Sequence, residues 1–243
     1  MNQRQKIMRF YQKKRQVDTF DERSERFPHQ RYRNRIESNF LKRVIKRVIN
    51  RHNRKIKILD VACGTGRFLS TLFPSKKEIE YTGLDSSKAM LDKVKKKKLF
   101  LDNKKNISLV LSNVEKIPFK DNTFDIIYTF HFLWHIPKED QKKIILEMMR
   151  VLKKGGYLVF DVINKDFIWG KLKRLFKEIK TSNVYKLNLK EIQELTKREV
   201  SFEGIVPFPV KNPFIYSFFN IFNELRYIFP KSVFYMLFVS IKK

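Results

Sequence analysis

Nine consecutive residues, Ile58-Leu59-Asp60-Val61-Ala62-Cys63-Gly64-Thr65-Gly66, carry an apolar strand straight into a turn with two glycines. Glycine has no Cβ, so the backbone at Gly64 and Gly66 can approach a nucleotide-like ligand closely. Asp85 follows 25 residues after Asp60, at the end of a second apolar run, Ile79-Glu80-Tyr81-Thr82-Gly83-Leu84. A carboxylate at that spacing can accept hydrogen bonds from both vicinal hydroxyls of a ribose. A nicotinamide dinucleotide site needs a third glycine three positions on, and Leu69 stands there instead. A third group of residues, His131-Phe132-Leu133-Trp134-His135, can serve proton transfer. Imidazole titrates near neutrality, so His135 is the candidate general base; the competing reading is a hydrogen bond to the turn before Pro137. No His, Cys or Asp cluster has metal-ligand spacing, so no metal is expected.

Regular elements must bring these residues together. Phe40, Leu41, Val44, Ile45, Val48 and Ile49 recur at helical spacing, with Lys42, Arg43, Lys46 and Arg47 on the other side. Strands are expected at 56–61, 79–84, 107–111, 124–129 and 156–161, and helices at 66–73, 87–99 and 138–152. Their alternation, with near-continuous apolar strands, predicts a parallel sheet covered on both faces. Right-handed crossovers then place every C-terminal strand end on one edge, where ligands of such sheets bind. A further helix is expected at 189–197, a sixth strand at 200–206 and a closing strand at 232–241. An amphipathic helix is expected between 167 and 179.

Five segments in order resemble the class I S-adenosylmethionine-dependent methyltransferases, especially the small-molecule type that includes quinone-biosynthesis enzymes. They are Asp60 to Gly66, Gly83-Leu84-Asp85-Ser86-Ser87, Asn113-Val114-Glu115-Lys116-Ile117-Pro118-Phe119, Phe124 to Tyr128 with His131 to Ile136, and Leu152 to Val159. The resemblance covers about 55–163 and implies an α/β, Rossmann-like fold. It has a seven-stranded, mostly parallel sheet with an antiparallel last strand, helices on both faces and an N-terminal helical extension. It implies S-adenosylmethionine as cofactor, held by Asp60, Ala62, Gly64, Gly66, Asp85, Ser86, Asn113, Val114 and His131. Asp60 would steer the methionine end, Asp85 hold the ribose, and Asn113 with the Val114 backbone meet the adenine. His131 would border the cofactor, and Trp134 would pack near the cationic sulfur or the acceptor. The family usually has glycine where this chain has Ala62, and aspartate where it has Asn113. Alanine is tolerated where φ is negative, and an asparagine carbonyl can still accept from an adenine amino group. No Asp/Asn-Pro-Pro-aromatic tetrapeptide follows the fourth strand, which argues against methylation of adenine or glutamine amino groups.

Composition and charge set the partners. A chain of 243 residues, 42% hydrophobic, can bury one substantial core. Its one cysteine, Cys63, fits a reducing compartment and reads as a small residue in the turn rather than a reactive thiol. The first residues lead into no apolar stretch, and a cytoplasmic address is expected, with a peripheral membrane position open. The net charge is +28. Residues 1–57 hold 19 Lys and Arg against 5 Asp and Glu, a net of +14, and 12 of the 17 arginines. Such a surface attracts RNA or an anionic bilayer. Residues 1–36 read as a basic lid or arm before a methyltransferase domain at 37–243, with an aromatic insert near 207–230 that suits a lipid-like acceptor. Three readings remain: a methyltransferase of a small or lipid-like acceptor, an RNA methyltransferase gripping phosphates through its arginines, and a non-catalytic binding module of the same fold.

Overall fold

A computed structural model describes residues 14–26, 28–73, 79–168, 184–205 and 230–243. The aromatic insert and most of the helix expected at 167–179 lie outside these residues. Three N-terminal helices, α1 (Lys14–Asp18), α2 (Phe20–Glu25) and α3 (Pro28–Ile49), precede strand β1 (Ile56–Val61). The short α4 (Leu69–Leu72) leads to β2 (Ile79–Asp85), α5 (Lys88–Lys96), α6 (Lys98–Asp102) and β3 (Ile107–Leu111). Then come β4 (Phe124–Thr129), α7 (Lys138–Val151), β5 (Leu152–Ile163), α8 (Leu189–Thr196), β6 (Val200–Ile205) and β7 (Met236–Lys242).

The seven strands form one sheet in the order β3-β2-β1-β4-β5-β7-β6. β1 to β5 pair in parallel, while β7 runs antiparallel to both β5 and β6. Alternate side chains divide between the faces, as the two-residue period of a strand requires. Leu59, Ile127, Leu158 and Val239 pack against α7 and α8. Ile58, Tyr128, Val159 and Phe238 pack against the inner stripe of α3. None of the described helices is long and apolar enough to cross a membrane.

Three departures from the expected elements have physical causes. Proline is favoured at the first helical position because its fixed φ suits the helix and its missing N–H is not needed there. Pro28 therefore opens α3, which begins well before Phe40, the first of the periodic apolar residues. The helix expected from residue 66 starts only at Leu69, because Gly66 takes φ +69°. The single helix expected at 87–99 is split at Lys97, whose ψ of 135° interrupts it. Ser87 caps its first part by accepting from the Met90 N–H.

Candidate functional site

Parallel register aligns Asp60 with Gly83 and Tyr128, and Asp85 with Leu111. The turn 62–67, Asp85, the segment 112–114 and the loop 131–135 therefore share the carboxyl edge of the sheet.

Asp60 is buried there, and the hydroxyls of Tyr81 and Tyr128 both donate to its Oδ2, each at 2.9 Å. Burial raises its carboxyl to about 7, against the opposing pull of those two hydroxyls. It forms no ion pair among the described residues. The following turn is strongly curved: Ala62, Gly64 and Gly66 take φ of +58°, +54° and +69°. The expectation of a negative φ at Ala62 is thus overturned. The left-handed region costs an L-residue about 1–2 kcal/mol, which explains why glycine suits this position. A Cβ on Gly66 would lie 3.0 Å from Leu69 Cδ1 and 3.2 Å from Val94 Cγ1, whereas one on Gly64 would meet only the Phe20 ring, at 3.7 Å. Packing therefore demands glycine at 66, and Gly64 is the open point of the turn. Burial, then the neighbouring Asp60, pushes the Cys63 thiol well above its usual range, so it is inert.

Asp85 braces the same turn. Its Oδ2 accepts from the Gly64 N–H and its Oδ1 from the Ser87 N–H, both at 2.8 Å. Burial raises its carboxyl, and the backbone donors counter that rise. Ser86 is exposed beside it. Asn113 is exposed, and its side chain bonds to Glu115 at 3.3 Å, while the Val114 side chain is buried in the core. α1 and α2 rest on the turn and on α5: Thr65 Oγ1 donates to Asp21, Lys97 pairs with Asp21 at 3.0 Å, and Lys93 donates to the Asp18 carbonyl at 2.8 Å.

The loop after β4 is held from three sides. The His131 N–H donates to Asp161 Oδ1 at 2.9 Å, and Trp134 Nε1 to Asp161 Oδ2 at 3.3 Å. Gln141 Nε2 on α7 donates to the Leu133 carbonyl at 2.7 Å. The third support is Glu37 on α3, fully buried, whose Oε1 lies 2.6 Å from His131 Nε2 and whose Oε2 lies 2.8 Å from Arg67. Burial raises the Glu37 carboxyl, but its neighbours His131, Arg67 and Arg33 outweigh this and hold it at about 2. His131 is pushed down to about 3, chiefly by burial, so it is neutral at pH 7. Asp161 is raised to about 7 by burial and the Glu37 charge. The His135 ring stacks on Trp134 with centroids 4.1 Å apart, and burial lowers its pKa. Its ring nitrogens make no hydrogen bond among the described residues, so the expected bond to the turn before Pro137 is not among the contacts seen.

Glu37, His131 and Asp161 place ligand-type atoms within 4.8 Å of one another, a cluster that sequence spacing did not reveal. The guanidiniums of Arg33 and Arg67 reach the same Glu37 carboxylate, at 3.5 and 2.8 Å. Two fixed positive charges make this a poor place for a cation. Sequence reasoning also passed over Tyr81 and Tyr128, whose signal is a hydroxyl inside an apolar strand on either side of β1. Glu37 carried a signal too: it falls on the inner stripe of α3, one turn before Leu41.

Comparisons with known proteins agree with this geometry. A family model described as a methyltransferase domain matches residues 59–160. An uncharacterized protein of Methanocaldococcus jannaschii is 33% identical over 161 residues, covering 65% of this chain and 69% of that one. The demethylmenaquinone methyltransferase of Bacillus licheniformis is 38% identical over 102 residues, 42% of each chain. The chain spans about four-tenths of the length of the curated relatives it matches, the archaeal protein excepted. In fold it is similar to magnesium protoporphyrin IX methyltransferase from Synechocystis, solved with bound S-adenosylhomocysteine. That likeness has a TM-score of 0.66 over 100% of both chains, at 11% identity. The motif order, the strand order, the matched methyltransferase domain and the named methyltransferase relatives place the chain in the class I S-adenosylmethionine-dependent methyltransferase family.

Proposed function

We propose that this chain transfers a methyl group from S-adenosylmethionine to a small or lipid-like acceptor. The observation that carries the reading is Asp60, a buried carboxylate with hydroxyl partners only, next to the open point of the turn at Gly64. Arg67 acts on its ionised form only from a distance, and the ammonium of a methionine moiety supplies a cation in contact. Asp85 accepts from the backbone N–H groups of Gly64, Ser87 and Ser86, and its two oxygens retain lone-pair capacity for a ribose hydroxyl. Asn113 and the backbone of Val114, the latter pinned by its buried side chain, border the adenine. Residues 1–36 serve as the lid, a role supported by Phe20 over Gly64 and Asp21 on Thr65.

S-adenosylmethionine, when bound, supplies an electrophilic methyl on a sulfonium. What the residues do is align the partners and keep water out. His135, with its pKa lowered by burial, is neutral at pH 7 and takes the proton that an acceptor hydroxyl or acidic carbon gives up. Trp134 offers its indole beside it. The name of the Bacillus licheniformis relative supports an apolar, ring-shaped acceptor. Such an acceptor partitions into bilayers, which suits a cytoplasmic protein resting against an anionic membrane.

A second reading, an RNA acceptor, draws on the outer face of α3. Lys42, Lys46 and Arg47 are exposed there and pair with no carboxylate among the described residues. RNA binding whose affinity falls steeply with salt would favour it.

Mass spectrometry of the ligand released on denaturation, with calorimetry against S-adenosylhomocysteine, tests the main reading. Asp85→Ala is expected to weaken binding about 10- to 100-fold, the loss of hydrogen bonds to a charged group. Full affinity in that variant refutes the ribose assignment. No heat with the wild-type protein, and no released nucleoside, refutes methyl transfer and favours a non-catalytic module.

A further inference from the structure

Four distant stretches of chain meet at the Glu37 carboxylate. α3 supplies Glu37 and Arg33, the cofactor turn supplies Arg67 immediately after Gly66, the loop after β4 supplies His131, and β5 supplies Asp161. The carboxylate is fully buried, and each of its oxygens faces a different stretch: Oε1 lies 2.6 Å from His131 Nε2, and Oε2 lies 2.8 Å from Arg67. Arg33 spans the remaining gap, with Nη2 3.4 Å from His131 Nδ1 and Nε 3.5 Å from Glu37 Oε1. Arg67 is itself fixed, since it bonds to Asn34 and lies 4.4 Å above the Phe68 ring.

This joint is poorly arranged for stability alone. Arg33 Nε and Glu37 Oε2 are buried without a properly oriented hydrogen bond. Buried ion pairs of that kind are often less stabilising than apolar residues of similar volume. Its location is what distinguishes it. A single side chain touches both the turn read as the cofactor cradle and the loop that carries Trp134 and His135. Both nitrogens of His131 are also occupied, Nε2 by Glu37 and Nδ1 by Arg33, so this imidazole cannot take a proton from an acceptor. The proton-accepting role falls to His135.

We infer that Glu37 is a positioning residue that couples occupancy of the cofactor turn to the order of the loop His131–His135. Arg67, next to Gly66, ties the turn to Glu37, and Glu37 in turn holds His131 and the loop behind it, so ordering of the turn is felt in the loop. The catalytic consequence rests on the methyl-transfer reading, whereas the coupling itself does not.

The experiment compares wild type with Glu37→Gln by hydrogen exchange of the peptide spanning 131–136, with and without saturating S-adenosylhomocysteine. In wild type, S-adenosylhomocysteine should slow exchange of this loop by about tenfold, within the ordinary range of coupling between sites. In Glu37→Gln that slowing should vanish, while the dissociation constant for S-adenosylhomocysteine stays within about threefold. A purely structural role would instead lower the melting temperature and leave the slowing intact, and that result overturns the inference. So does a loss of affinity as large as that of Asp85→Ala. Should Glu37→Gln fail to fold, Arg33→Gln removes the guanidinium shared by Glu37 and His131 and must show the same split. If wild type binds no S-adenosylhomocysteine, the methyl-transfer reading fails. The coupling is then judged on the unliganded proteins, where Glu37→Gln must speed loop exchange by about tenfold, and an unchanged rate overturns it.

Discussion

Asp60 at the end of β1 and Ala62 in the turn that follows are strained for different reasons, and each strain can be measured. Ala62 sits at φ +58°, so its methyl group costs about 1–2 kcal/mol that glycine would avoid. Glycine loses about 0.5–1 kcal/mol through added freedom in the unfolded chain. Ala62→Gly should therefore stabilise the protein by up to about 1 kcal/mol and raise its melting temperature by about 2–4 °C. Asp60 is strained electrostatically. Its folded pKa of about 7 lies above the unfolded value near 3.9, so the folded state holds a proton that the unfolded chain releases between those limits. Its favourable contribution is complete below about pH 3.9 and is lost as pH rises through 7. Asparagine keeps an oxygen for both tyrosine hydroxyls and has no charge to bury. Asp60→Asn should thus gain stability over wild type as pH rises from 4 to 8, by about 2–4 kcal/mol at the upper end, as read from denaturant melts. The same variant should bind S-adenosylhomocysteine at least about tenfold more weakly, through loss of the ammonium partner. A substitution that stabilises the empty protein and disables it marks a residue kept for function.

At the scale of elements, the edge opposite the site is built for rigidity. Asp125 on β4 is bonded by Arg54 at 2.9 and 2.5 Å, by the Lys57 N–H at 2.9 Å and by Lys153 at 3.0 Å. Burial acts to raise its carboxyl, but these donors hold it at about 2. Asp125→Ala leaves a strand N–H and two cations without their acceptor, and should cost about 2–3 kcal/mol. A melting temperature lowered by about 4–10 °C, with unchanged affinity for S-adenosylhomocysteine, would separate this edge from the site. The strands themselves were legible from the chain, because β1, β3 and β4 are mostly apolar runs, each with only one or two polar residues, bounded by turns and charges. β5 was not fully so. It begins at Leu152, before the two glycines, because Leu152 already pairs with Phe124 and the register shifts between Phe124 and Ile126. Helix limits were less legible where a left-handed glycine or an extended residue intervened, as at Gly66 and Lys97. The glycine turn, Asp85 and the loop 131–135 could be found because each lies in one short segment. The Glu37 joint could not, since its partners are brought together only by the packing of α3 on the sheet.

For the molecule as a whole, the dominant long-range force is self-repulsion. With 53 Lys and Arg against 25 Asp and Glu, the net charge of +28 acts against compaction at any distance shorter than the screening length. That length falls from about 30 Å at 0.01 M to about 10 Å at 0.1 M ionic strength, less than the span of the sheet. Several of the described ion pairs join exposed or partly exposed side chains, such as Lys88 with Asp92, and pairs of that kind contribute little in water. Salt that weakens them also weakens the far more numerous repulsions between like charges. The melting temperature should therefore rise between 0.01 and 0.2 M sodium chloride, opposite to what a fold held by surface salt bridges would do. Sulfate or phosphate at equal ionic strength should raise it further if Lys42, Lys46 and Arg47 on the outer face of α3 gather anions. Equal effects of chloride and sulfate would mean that the basic face is only a diffuse field. A fall with salt would mean that local pairs outweigh the net charge.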